Sequence, residues 1–129
     1  MAPSREEVPT SSSHREIVKR LDELGILDDP EFVAGAFATF LESGDASIAH
    51  LSEAIASGDT AGCEQYSHRL KGASLNLGAE RLGEITRRLE VLGRRGELAG
   101  AGPLLEELRH EFAGVRAFML HYPGEKKAA

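Results

Sequence analysis

The sequence has one cysteine, no tryptophan, few aromatic residues and no long apolar run. The single thiol, Cys63, excludes an internal disulfide and a metal site built from several cysteines. There is no run of membrane-spanning length and no N-terminal stretch of the signal-peptide type, so we expect a cytoplasmic protein without a membrane partner. Alanine, leucine, glutamate and arginine are abundant instead, and they favour helix.

Charge is distributed unevenly along this chain, whose formal net charge is −6. Residues 68–95 contain seven basic and three acidic residues, so this segment carries +4 while the remainder carries −10. Domains that bind nucleic acid are broadly basic, so this balance argues against a nucleic-acid partner. A local basic region suits docking of an acidic protein surface, although a solvated charged helix has the same pattern.

Apolar residues recur every three or four positions along most of the chain, which predicts helices. We expect a short helix over 14–24, long helices over 30–57, 60–77 and 79–95, and a last helix that opens at Pro103. Asp29 and Asp59 are placed to cap two of the long helices. No segment alternates as a strand would.

Long helices joined by short turns predict a single all-α domain over residues 14–122. We expect an antiparallel four-helix bundle with an additional short N-terminal helix. Residues 1–13 are polar and contain proline, which predicts a disordered tail. The charged residues 123–129 are expected to be a frayed C-terminus.

The segment from Tyr66 to Ala79 predicts a helix with two different faces. At roughly 100° per residue, its apolar stripe, expected to face the core, contains Cys63, Tyr66, Leu70, Ala73 and Leu77. His68 points away from that stripe, and Lys71, Gly72 and Leu75 share its face. A histidine is thus presented to solvent beside a cation, a residue without a side chain and an exposed leucine. This combination suits a histidine that another macromolecule must reach and that must carry negative charge.

This segment resembles the motif of histidine-containing phosphotransfer (HPt) domains of two-component phosphorelays. The family pattern is His-x-Leu-Lys-Gly, two small residues, x-x-Leu-Gly and a further Ala or Leu. Here it stands as HRLKGASLNLGA, from His68 to Ala79. The resemblance extends over about residues 30–121, and its length at fixed spacing makes it specific.

The resemblance implies that His68 accepts a phosphoryl group from an aspartate of a receiver domain and passes it to another receiver aspartate. Neutral imidazole is a good nucleophile near physiological pH. Lys71 would pair with the phosphoryl oxygens, and Glu90, on the next helix, would contact the imidazole. The residues expected to serve partner binding are Arg69, Gly72, Leu75 and Arg94. Gly72 is unfavourable in a helix, so we expect it to provide clearance for the receiver.

The implied partners are receiver domains of response regulators, of hybrid sensor histidine kinases, or of both. The chain would be a monomeric phosphotransfer carrier rather than a kinase. It would have no cofactor of its own, because the receiver would supply Mg²⁺ and most of the catalytic groups.

Three alternatives stand beside this interpretation. The first is a helical adaptor that docks receiver or kinase domains without carrying phosphate. The second, a sensor-kinase dimerisation domain, is disfavoured because the usual His-Glu neighbourhood with its proline and a Gly-rich nucleotide segment are both missing. The third is a di-iron bundle, suggested by Glu107 and His110, but only one Glu-x-x-His unit is present. The remaining histidines, His14, His50, His110 and His121, are expected at the surface or its boundary.

Overall fold

The computed structural model describes residues 12–122, which are all-helical and contain no strand. The helices are α1 (Ser12–Glu23), α2 (Pro30–Ser57), α3 (Thr60–Asn76), α4 (Glu80–Arg95) and α5 (Ala101–His121), with a 3₁₀ turn at Leu98–Gly100. The all-α prediction is confirmed. The expectations for residues 1–11 and 123–129 lie outside the described residues.

Local signals begin and end the long helices close to the predicted positions. The Asp29 carboxylate accepts a hydrogen bond from the Phe32 amide at 3.2 Å, and the Asp59 carboxylate accepts one from the Gly62 amide at 2.9 Å. Gly58 ends α2 with a φ of +75°, a conformation that glycine adopts without strain. Gly78 has a φ of +81° in the turn between α3 and α4.

Two helix starts were predicted wrongly. Ser12 and Ser13 belong to α1, where Ser13 is buried and donates a hydrogen bond to Glu111 of α5 at 3.0 Å. The contact is tertiary, so no local signal marks it. The last helix begins at Ala101 rather than at Pro103, which lies within its first turn.

One core connects the helices. α3 packs between α2 and α4, α4 also packs on α5, and α5 on α2, while α1 contacts α4 and α5. The predicted apolar stripe of α3 faces this core, with Cys63, Leu70 and Leu77 buried and Tyr66 and Ala73 half-buried. The other fully buried side chains of the core include Leu51, Leu82, Ile85, Leu89 and Leu108.

His14 was expected near the surface, and that prediction is wrong. It is only 5% exposed, and its ring stacks on Phe118 of α5 with centroids 4.6 Å apart. Aromatic stacking across the fold buries a residue that its neighbours in sequence would leave exposed. His50, His110 and His121 are exposed as expected.

Two glycines of α4 let it approach α3 closely. A Cβ at Gly93 would lie 2.6 Å from the backbone nitrogen of Glu64, and a Cβ at Gly83 would overlap the Leu75 side chain. Glu90 lies between these glycines on α4 and is buried against α3. We call this close contact between the two helices the α3–α4 seam. It brings the Glu90 carboxylate within reach of the exposed face of α3.

Ser74 of α3 is fully buried, and its hydroxyl has no hydrogen-bond partner within residues 12–122. A buried unpaired hydroxyl carries a desolvation penalty, and alanine has the better helix propensity. We therefore expect Ser74→Ala to raise the free energy of unfolding by about 1 kcal/mol. Ser43→Ala, at an exposed position of α2, is the control for helix propensity alone. Urea denaturation that shows no gain beyond this control would contradict the prediction.

Candidate functional site

His68 lies in the middle of α3 with its side chain 69% exposed. Lys71 follows one turn later and is 25% exposed. A Cβ at Gly72 would meet nothing within 4 Å, so the space beside the imidazole is open. The predicted arrangement of these three residues on one face of α3 is therefore present.

Glu90 is the buried centre of the site, with its side chain 6% exposed. Its Oε2 lies 2.9 Å from Nδ1 of His68, and its Oε1 lies 2.8 Å from Nζ of Lys71. Arg94, one turn further along α4, donates from Nη2 to the same Oε2 at 3.0 Å. One carboxylate thus holds an imidazole and two cationic side chains.

The charge state of Glu90 sets the tautomer of His68. Burial by itself would raise the pKa of Glu90, but the hydrogen bonds from Lys71 and His68 outweigh it and leave the pKa below its ordinary value. An ionised carboxylate only accepts hydrogen bonds, so Nδ1 of His68 carries the proton and donates it to Glu90. The lone pair of the other ring nitrogen, Nε2, is then directed away from Glu90.

Arg94 reaches in two directions. Its Nε donates to Glu64 of α3 at 3.2 Å, while Nη2 donates to Glu90. Glu64 precedes His68 by one turn and lines the same shallow pocket as His68 and Glu90. The guanidinium therefore bridges α3 and α4 beside the imidazole. The resemblance implied a partner-binding role for this arginine.

The remaining predicted residues surround this centre. Leu75 is 43% exposed and packs across Gly83 of α4, so its side chain is held in place at the surface. The Arg69 guanidinium lies over the Tyr66 ring, 5.3 Å from its centroid. Functional roles for Arg69, Gly72, Leu75 and Arg94 stay predictions, but all four lie on α3 or on the adjoining face of α4.

Much of the basic charge of residues 68–95 is neutralised within the fold. Arg81 pairs with Glu107 at 3.2 Å and with Glu111 at 3.5 Å, and Arg87 pairs with Glu84 at 2.9 Å. For these arginines the solvated charged helix, with partners on α4 and α5, is the better description. Within the described residues, no group of three or more His, Cys, Asp or Glu side chains is arranged to hold a metal ion.

Sequence reasoning missed three features near the site. Phe32 is 56% exposed and lines an open, largely apolar groove of about 570 Å³ with Ala36, Ala73 and Asn76. Phe32 does not share the helix face of the buried residues of α2, so its exposure could have been predicted from the sequence. The Arg94–Glu64 contact and the stacking of His50 on Tyr66 join different helices, so no local pattern marks either.

Removing the charge of Glu90 tests the electrostatics of the site. Its lowered pKa means that the ionised form stabilises the fold above the ordinary carboxyl range, and this stabilisation is lost as the pH falls through the lowered pKa. Glu90→Gln is expected to lower the free energy of unfolding by about 1 kcal/mol near neutral pH. The difference from wild type should narrow below about pH 4.

Denaturation at several pH values checks this expectation, with Glu84→Gln as the matched control. Glu84 is exposed and pairs with Arg87 of its own helix, so its replacement should change stability little. A destabilisation by Glu90→Gln that persists unchanged in acid would contradict the account.

The comparisons agree with this geometry. The model of the Hpt domain family matches residues 36–118, more than half of the chain. The crystal structure of histidine-containing phosphotransfer protein B (HptB) from Pseudomonas aeruginosa PAO1 is similar, with a TM-score of 0.75 and 29% identity over 85% of this chain and 94% of that one. No curated protein matches the chain.

Residues 12–122 thus form an all-helical fold that exposes His68 over the buried carboxylate of Glu90. The chain belongs to the Hpt domain family. Its role is thus phosphotransfer in a two-component phosphorelay, in which family members carry phosphate and interact with receiver domains rather than act as kinases. Among the described residues, no helix has the length and apolar composition needed to cross a membrane.

Proposed function

We propose that His68 accepts a phosphoryl group from the aspartyl phosphate of one receiver domain and passes it to the aspartate of another. The observation that carries this proposal is the contact of Nδ1 with buried Glu90, at 2.9 Å, in a ring that is otherwise exposed. Glu90 fixes the ring and leaves Nε2 as the nucleophile. We further propose that the chain acts as a monomer and that its four long helices run antiparallel, which the short turns between α2, α3 and α4 support.

The transfer needs few groups on this protein. The Nε2 lone pair attacks phosphorus, an N–P bond forms, and the P–O bond to the aspartate breaks with the electron pair leaving on the carboxylate. The Nδ1 proton stays on the ring, where Glu90 balances the positive charge that develops as the N–P bond forms. Phosphoryl transfer depends mainly on positioning and charge stabilisation, and we expect the Mg²⁺ to be held by the receiver.

Lys71 and Arg94 complete the proposed site. Both contact Glu90, at 2.8 Å and 3.0 Å, and both extend from positions next to His68 on α3 or α4. A phosphoryl group on Nε2 brings a strong set of acceptor oxygens to the same face. We propose that Lys71 then exchanges Glu90 for a phosphoryl oxygen, while Arg94 remains anchored by Glu64.

Lys71→Ala is expected to slow phosphorylation of His68 without loss of helicity. A charge-assisted hydrogen bond contributes about 1.5–3 kcal/mol, so the rate should fall roughly 10- to 100-fold. Single-turnover transfer from a phosphorylated receiver measures the effect, and Lys19→Ala, an exposed lysine of α1, is the control. Equal rates for the two variants would remove Lys71 from the site.

A two-step transfer tests the proposal as a whole. A receiver phosphorylated with labelled phosphate is mixed with the protein, which is then separated and offered to a second receiver. Label that moves to the protein and then onward supports the relay. Receivers that bind the folded protein but never transfer label would favour the adaptor alternative.

A further inference from the structure

The basic residues beside His68 differ in whether an acidic partner already occupies them. Lys71 pairs with Glu90, and Arg94 pairs with both Glu90 and Glu64. Arg69, which follows His68 directly, is exposed and makes no ion pair within residues 12–122. Of these three basic residues, Arg69 is therefore the one that can pair with an acidic partner without first breaking an ion pair within residues 12–122.

Arg69 is nevertheless held in position. Its guanidinium lies over the ring of Tyr66 with 5.3 Å to the centroid, and the ring of His50 from α2 stacks on the same tyrosine with centroids 4.5 Å apart and planes 14° from parallel. We name these three residues the Tyr66 stack. A cation–π contact restrains a long side chain and leaves its N–H donors available.

The Tyr66 stack lies on the side of α3 that faces α2. His50 connects it to α2, whereas the carboxylate network of Glu90 and Arg94 belongs to α4, so the two groups lie on opposite sides of α3, which packs between these helices. Arg69 is exposed and directly follows His68 on α3, so we expect a receiver docked over His68 to come within its reach. Arginine and tyrosine held in place are the side chains most often found at the energetic centres of protein interfaces.

We propose that the Tyr66 stack is a docking patch for an acidic side chain of the receiver domain, with Arg69 as its cation. This inference rests on the proposed exchange of phosphate with receivers, and it adds a selectivity element outside the chemistry. Receivers with a carboxylate opposite Arg69 are bound in preference to those with a neutral or basic residue there.

The test compares Arg69→Ala with Arg15→Ala, which removes an exposed arginine from α1. For Arg69→Ala we expect a roughly five-fold higher KM for the phosphorylated receiver, an unchanged maximal transfer rate and a weaker dependence of kcat/KM on salt. Arg15→Ala should behave as wild type. A structural role for Arg69 would not change the salt dependence, so this readout is specific to docking.

Tyr66→Leu provides the second variant, because it removes the ring that restrains Arg69. We expect a smaller rise in KM than for Arg69→Ala, and no additional rise when the two changes are combined. An unaltered KM and salt dependence for Arg69→Ala, or effects of the two changes that simply add, would overturn the docking patch. Transfer through His68 would still stand in that case.

Binding of the unphosphorylated receiver, followed by calorimetry, separates this inference from the proposed function. If no receiver transfers phosphate but receivers bind more weakly to Arg69→Ala, the relay fails and the docking patch stands. If no receiver binds at all, both are overturned.

Discussion

His68→Gln is expected to abolish phosphorylation by any receiver while leaving the fold intact. Glutamine has no ring nitrogen with a nucleophilic lone pair, so the N–P bond cannot form. The His68 side chain is 69% exposed and its polar contact within residues 12–122 is with Glu90, so its replacement disturbs no core packing. Labelled phosphate transferred from a receiver, followed on gels and by intact mass, measures the loss.

His110→Gln is the matched control for this change, because His110 is an exposed histidine of α5. It should accept label at the wild-type rate. Helicity and receiver binding by His68→Gln should equal those of wild type. Label that is retained by His68→Gln would contradict the assignment of the phosphate carrier.

Gly72→Gln is expected to slow transfer and to stabilise the protein at the same time. A Cβ at Gly72 meets nothing within 4 Å, so the side chain is accommodated in the free protein. Glutamine also favours helix over glycine by about 1 kcal/mol. We propose that a docked receiver needs the space above Gly72, and displacement of the reacting atoms by about 1 Å lowers a rate roughly 100-fold.

Gly114→Gln separates these two effects, since Gly114 lies within α5 and a Cβ there also meets nothing within 4 Å. Both variants should gain stability in thermal unfolding, while only Gly72→Gln should lose transfer rate. Unchanged transfer kinetics for Gly72→Gln would show that this glycine provides no clearance.

The long helices were predictable because their signals are local. Asp29 and Asp59 cap α2 and α3, and the apolar period assigns Leu70 and Leu77 to the core. The start of α1 and the burial of His14 were predicted wrongly, since each depends on a contact with α5 that no neighbouring residue specifies. Local pattern is thus sufficient for most helix limits here, and the two starts that it misplaced are those of α1 and α5.

The candidate site was likewise predictable only in part from the sequence. The period of α3 placed Lys71 and Gly72 on the face of His68, whereas the approach of Glu90 followed only from the family resemblance. Its depth of burial and its contacts with His68 and Lys71 depend on the close α3–α4 seam, whereas its contact with Arg94 lies within α4. The bridge from Arg94 to Glu64 depends on the same seam and has no counterpart in sequence pattern.

The central claim is that Glu90 occupies Nδ1 of His68 and leaves Nε2 to carry the phosphoryl group. The most direct test is nuclear magnetic resonance of the protein labelled with nitrogen-15 and phosphorylated by a receiver, because the ring nitrogens of phosphohistidine isomers have distinct shifts. The account predicts phosphate on Nε2 and a proton on Nδ1 of His68. Phosphate on Nδ1, or on any other side chain, would contradict it.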